Sequence, residues 1–211
     1  MKYGARKNLL EELKPLSFFK KEHIYYLGKN EKSYNLKDKT IDTYISRFLK
    51  YKEIIPLKRG VYTSADFYNK NKGDISYLFY LANVLRTPSY ISSWTALQYY
   101  NLTTESIHTI TSITPKVTRS YKTKAGNFIY RSIQKDLFSN FCSKKGEFNF
   151  FIASPSKALF DLLYFKTRQF RGIRFENIRA IIEGLRIDID EMTNTEQKIF
   201  FSMIKNYMHY E

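Results

Sequence analysis

Residues 52–63 read KEIIPLKRGVYT, two short β-prone segments joined through Pro56, Leu57, Lys58, Arg59 and Gly60. A solvated hairpin turn is well served by Asn-Gly or Asp-Gly, so two adjacent cations ahead of the glycine point to something negative opposite them. A charged tip with nothing bound is the plain alternative, and the sequence around the stretch has to decide. Immediately upstream, Ile41, Ile45, Phe48 and Leu49 recur at helical spacing, with Asp38 or Thr40 as the expected cap. At about 100° per residue the opposite side of that helix carries Lys39, Thr43, Ser46, Arg47 and Lys50. Short hydroxyls and long cations on one face suit a major-groove helix, in which hydroxyls and main chain near the start hold phosphates and Arg47 reaches base edges.

Two more helical segments precede this one. Leu9, Leu10 and Leu13 form an apolar set ended by Pro15, and Phe18, Phe19, Ile24 and Leu27 form a second closed by Gly28. Three helices followed by a hairpin is the order of a winged helix-turn-helix, whose third helix enters the groove while the hairpin tip lies along the backbone or minor groove. The expected DNA contacts are therefore Lys39, Thr40, Thr43, Ser46, Arg47 and Lys50 on the helix, with Lys58 and Arg59 on the wing. The segment GKNEKSYNLKDK between the second and third helices exceeds the usual turn of about 3–4 residues, which alters the docking angle.

The charge distribution agrees with an anionic partner. The 211 residues hold 35 Lys+Arg against 20 Asp+Glu, a net +15, and residues 1–72 alone account for 17 cations against 8 acids. The polar stretch YNKNKGD over 68–74 reads as a linker, which gives domains over 1–72 and 73–211. No apolar run of about 18 residues and no signal-peptide core occurs, so a cytoplasmic protein without membrane contact is expected. Cys142 stands alone and reads as packing material.

The second region mixes helices and strands. Ile75, Leu78, Phe79, Ala82 and Leu85 mark a core helix, and SSWTALQYY another, with Trp94 and Leu97 inward. From Ile107 to Ile133 the sequence alternates and is rich in Thr, Ile, Tyr and Phe, as expected of an antiparallel meander. EFNFFIAS adds a strand, Ser154 and Pro155 then start a helix, and Lys157 and Asp161 lie four apart on it as a surface ion pair or partner contact. Further helices are expected over FENIRAIIEGL and TNTEQKIFFSMIKNYMHY. Lys166, Arg168, Arg171 and Arg174 cluster among aromatics in FKTRQFRGIR, open to three readings: a second nucleic-acid contact, a dock for an acidic protein, or a solvated loop. The fold class is thus α+β, a winged helix followed by a mixed domain with an antiparallel sheet.

Enzymatic signatures are missing. His23, His108 and His209 fall at no metal-binding spacing, and there is no phosphate-cradling glycine loop, nucleophile elbow or H-E-x-x-H pair. Asp188 and Asp190 in IDIDE could hold Mg²⁺ as in a nucleotidyltransferase, but only Gly184 lies near where that chemistry needs a Gly-Ser helix start. No enzyme, cofactor or metal is expected.

Three stretches carry a resemblance. ISRFLKYKEIIPLKRGVYT, PSYISSWTALQYYNL and FIASPSKALFDLLYF are similar, in order and spacing, to the antitoxins of AbiE-type (type IV) toxin-antitoxin systems of bacteria. The sequence departs from that pattern at Asn101, where the family commonly has glycine, and at Ser156, where it usually has glutamate. The resemblance implies a transcriptional autorepressor that binds double-stranded operator DNA of its own operon and counteracts a nucleotidyltransferase-like toxin in phage defence by abortive infection. An interaction-only antitoxin without specific DNA binding, or a nucleic-acid-processing enzyme using Asp188 and Asp190, are the alternatives.

Overall fold

The computed structural model describes residues 2–30, 34–105 and 108–209. Residues 31–33, in the segment expected to separate the second and third helices, lie outside it, as do Ile107 at the expected start of the meander and Tyr210 at the end of the last expected helix. The chain divides into two compact units. The first runs to Leu81 and takes in Tyr121–Gly126, and the second holds Ala82–Ser120 and the residues from Asn127 onward. The division and the expected boundary near residue 72 do not coincide. Residues 68–71 of the expected linker are helical instead: a helix forms over Ala65–Asn71, its N-terminus capped by Ser64 Oγ, which accepts from the Phe67 amide at 3.0 Å.

In the first unit, α1 (Lys2–Leu13) buries Leu9, Leu10 and Leu13. Phe19 does not join the next helix. It lies in β1 (Phe19–Lys20), and α2 (Lys21–Lys29) starts after it. Strand pairing satisfies the backbone there while the Phe19 side chain packs 6.2 Å from the Tyr62 ring. Gly28 sits inside α2 rather than ending it, and a Cβ at that position would come within 2.8 Å of Ile41 Cδ1. Its bareness lets α2 approach α3 (Asp38–Lys50) closely.

The buried side of α3 is Ile41, Tyr44, Ile45 and Phe48, with Leu49 half-buried at its margin. Neither Asp38 nor Thr40 caps the helix. Lys37 occupies the cap position without a side-chain bond, and the Asp38 carboxylate is taken by Lys29 Nζ at 2.8 Å. The strands β2 (Ile54–Lys58) and β3 (Val61–Ser64) form an antiparallel hairpin, in the order β1-β3-β2. Because β2 is an edge strand, Pro56 costs no ladder bond toward a further neighbour. Packing of α1, α2, α3 and the sheet closes one core around Leu13, Phe19, Ile24, Ile41, Phe48 and Ile54. After α4 (Ala65–Asn71) comes α5 (Ile75–Leu85), where Tyr77 rather than Ile75 is fully buried. The Tyr77 hydroxyl donates to the Ser17 carbonyl at 2.8 Å, so the ring enters the core with its polar end satisfied.

The chain then runs through β4 (Tyr90–Ile91), α6 (Ser93–Tyr99), β5 (Thr109–Thr114), β6 (Arg119–Thr123) and β7 (Gly126–Ser132), of which Tyr121–Gly126 falls in the first unit and the rest in the second. It continues through β8 (Phe141–Lys144), β9 (Phe150–Ala153), α7 (Pro155–Lys166), α8 (Ile178–Gly184) and α9 (Asn194–His209). The sheet is mixed, in the order β6-β7-β5-β4-β9-β8, and the antiparallel meander expected over 107–133 does not form. Instead β5 runs parallel to β7, from Thr109↔Asn127 to Thr114↔Ser132. Burial explains the rearrangement: β6, RSYKT, has no buried residue and suits an edge, whereas β7 brings Phe128 and Tyr130 to the interior. The fold is α+β. Among the described residues no helix is long and apolar enough to cross a membrane.

Candidate functional site

The exposed side of α3 holds Lys39, Thr43, Ser46, Arg47 and Lys50, opposite the buried Ile41, Tyr44, Ile45 and Phe48, while Thr40 is half-buried. The helix also carries two acids, Asp38 and Asp42, which lie together on one flank by their four-residue spacing. Both are engaged by α2. Lys29 Nζ meets Asp38 at 2.8 Å, and Lys21 Nζ meets Asp42 at 2.9 Å, with the Tyr25 hydroxyl donating to the same carboxylate oxygen at 2.7 Å. The hydrogen bond from Lys21, then that from Tyr25, holds Asp42 below its ordinary carboxylate value. The bond to Asp42 raises Lys21 and Tyr25 above theirs. Neutralising the acids on the flank leaves the outward face positive.

Lys21 does a second thing: its backbone amide donates to the Gly60 carbonyl at 2.8 Å. One residue therefore ties the hairpin tip through its main chain and α3 through its side chain. Lys58 pairs with Val61 across the hairpin, a bulge falls between Pro56 and Lys58, and Arg59 and Gly60 make the turn. Gly60 has φ +75°, a left-handed conformation that a side chain disfavours. Arg59 is exposed and Lys58 half-buried.

Of the second cationic group, Lys166, Arg168, Arg171 and Arg174 are exposed. Arg168, Gln169 and Phe170 take three successive left-handed conformations, held by burial of Phe170 and by its amide donating to Thr167 Oγ1 at 2.9 Å. Lys157 does not belong with them. It is buried, 2.7 Å from Asp161 Oδ1, because α7 packs against α6, α9 and the sheet and has no solvent-facing side between Ser156 and Tyr164. The expected surface pair is a core pair.

Asp161 Oδ2 also accepts from Ser92 Oγ at 2.7 Å and Tyr90 Oη at 3.0 Å, so three donors surround one carboxylate. Burial pushes Asp161 upward against the opposing pull of Lys157, and burial followed by the Asp161 charge pushes Tyr90 upward. This explains why Ser92 makes no capping bond at α6. Segments 88–102 and 151–165 thus meet at a structural hub. The Ser156 amide donates to Glu196 Oε2 of α9 at 2.9 Å.

Comparison with protein-family models and with curated proteins finds no match.

Asp188 and Asp190 are both exposed, and among the described residues no three His, Cys, Asp or Glu side chains gather to hold a metal ion. The residues that sequence reasoning missed are Lys21, Tyr25 and Asp42. The regular spacing of Asp38 and Asp42 was a visible signal, but their partners come from a different helix whose start was misplaced by the unrecognised β1.

Proposed function

We propose that the first unit is a winged helix-turn-helix that binds duplex DNA, with α3 in the major groove and the β2–β3 tip on the phosphate backbone. The observation that carries this reading is the Lys21 strut between the Gly60 carbonyl and Asp42, which couples a cationic hairpin tip to the flank of a helix whose acids are neutralised. Lys39, Lys50, Lys58 and Arg59 supply backbone charge, and Arg47 supplies a base-reading side chain. Together with the resemblance of the three stretches to AbiE-type antitoxins, this supports the reading of the protein as an autorepressor of its own operon with the second unit as its antitoxin part. The buried Asp161 hub supports that part as a packed domain, and the exposed Lys166, Arg168, Arg171 and Arg174 are its candidate partner contacts.

A mobility-shift titration on the DNA upstream of the gene tests the reading. Changing Lys58 and Arg59 together to Ala weakens binding to all sequences and flattens the plot of log K against log salt by up to about two. Unaltered affinity and slope remove the wing from the mechanism.

A further inference from the structure

The hydrogen-bond inventory of α3 goes further than the presence of a basic helix, and it rests on the DNA-binding reading. Thr43 Oγ1 donates to the Lys39 carbonyl at 2.8 Å, so its only proton is spent inside the helix. The residue then offers the groove a methyl group and an oxygen, not a donor, and the phosphate-holding role expected from its hydroxyl lapses. Asp38 and Asp42, the acids of the helix, are occupied by Lys29, Lys21 and Tyr25. The carboxylates able to accept from cytosine N4 are thereby turned to the flank. Arg47 is exposed and forms no ion pair among the described residues.

We infer that α3 reads guanine through Arg47 and thymine through the Thr43 methyl. Guanine presents two major-groove acceptors, N7 and O6, that match the guanidinium fork, and thymine alone presents a methyl group there. With its carboxylates engaged on the flank, the face is left with hydroxyl oxygens such as those of Thr43 and Ser46, weaker acceptors than a carboxylate for the amino groups of cytosine or adenine. Arg47 and Thr43 are one helical turn apart, so both can address the same groove.

Selection from a randomised duplex library by the full-length protein, followed by sequencing, reads this out. The wild type enriches a motif with a guanine position and a thymine position. Arg47→Ala lowers the preference for the guanine by roughly ten- to a hundredfold while leaving the thymine. Thr43→Ser keeps the hydroxyl, removes the methyl and flattens the thymine position alone. Circular dichroism on each variant establishes that the fold is intact. A wild type that binds duplex DNA but shows no guanine or thymine preference, or an Arg47→Ala motif identical to the wild type, overturns the assignment and leaves DNA binding standing. No binding to any duplex, specific or random, removes the DNA-binding reading itself.

Discussion

Two helices, α3 and α7, carry the same chemistry in opposite settings. On α3 the carboxylates of Asp38 and Asp42 meet lysines of α2, and every partner keeps at least 43% of its side chain exposed. On α7 the Lys157 and Asp161 side chains are 1% and 0% exposed. In water the α3 pairs contribute little to stability, and their consequence is geometric: they fix a flank and clear the outward face of negative charge. In the core an ion pair is tolerated only because Lys157, Ser92 and Tyr90 all donate to Asp161, and removing the carboxylate strands the donors. One helix keeps its ion pairs on an exposed flank, and the other encloses its pair in the core.

The contrast breaks most visibly at Asp161. Asp161→Ala destabilises the second unit by about 3–5 kcal/mol, because it leaves a buried ammonium and two hydroxyls without their acceptor. Urea unfolding followed by circular dichroism measures it, and a loss below about 1 kcal/mol would dissolve the distinction between the two helices. The double variant Lys157→Met/Asp161→Leu costs less than Asp161→Ala alone, since no charge remains stranded.

A smaller effect sharpens the first unit. Gly60→Ala forces a side chain into φ +75° and lowers stability by about 1 kcal/mol. The same substitution disturbs the carbonyl to which Lys21 is tied, so under the proposed DNA-binding reading affinity for duplex DNA falls with it. An alanine variant as stable and as tightly binding as the wild type would mean that the turn geometry is not held.

The smallest effect concerns pH. Folding lowers the Asp42 titration below its ordinary 3.8. The strut's contribution is therefore fully present above that pH and is lost as pH falls through the folded midpoint. A carbon-detected NMR titration should place Asp42 below 3.8, and Lys21→Met should bring it back upward, Lys21 being the first cause of the shift. A wild-type midpoint at or above 3.8 would show that the strut does not form in solution.

Much of the first unit was readable in the sequence because its signals are local. The spacing of Ile41, Ile45 and Phe48 sets which side of α3 faces inward, and with it the exposure of Lys39, Thr43, Ser46, Arg47 and Lys50. Arg59 and Gly60 set the hairpin turn, and Ser154 with Pro155 sets the start of α7. These are properties of a few adjacent residues and a backbone period.

Burial of Lys157 was not readable, because a lysine four residues before an aspartate looks the same on a solvated helix as on one enclosed by α6, α9 and the sheet. The parallel pairing of β5 with β7 was hidden for a related reason: strand order follows which strand has enough apolar surface for the interior, a comparison among strands rather than a pattern within one. The linkage of hairpin tip to α3 depended on where β1 ends and α2 begins, and so on a pairing with Val61 and Tyr62 some forty residues away. The sequence by itself determined the periods, the turns and the sign of the charge. Only the tertiary structure decided which charges meet water, because solvent exclusion belongs to the assembled elements and to no single one of them.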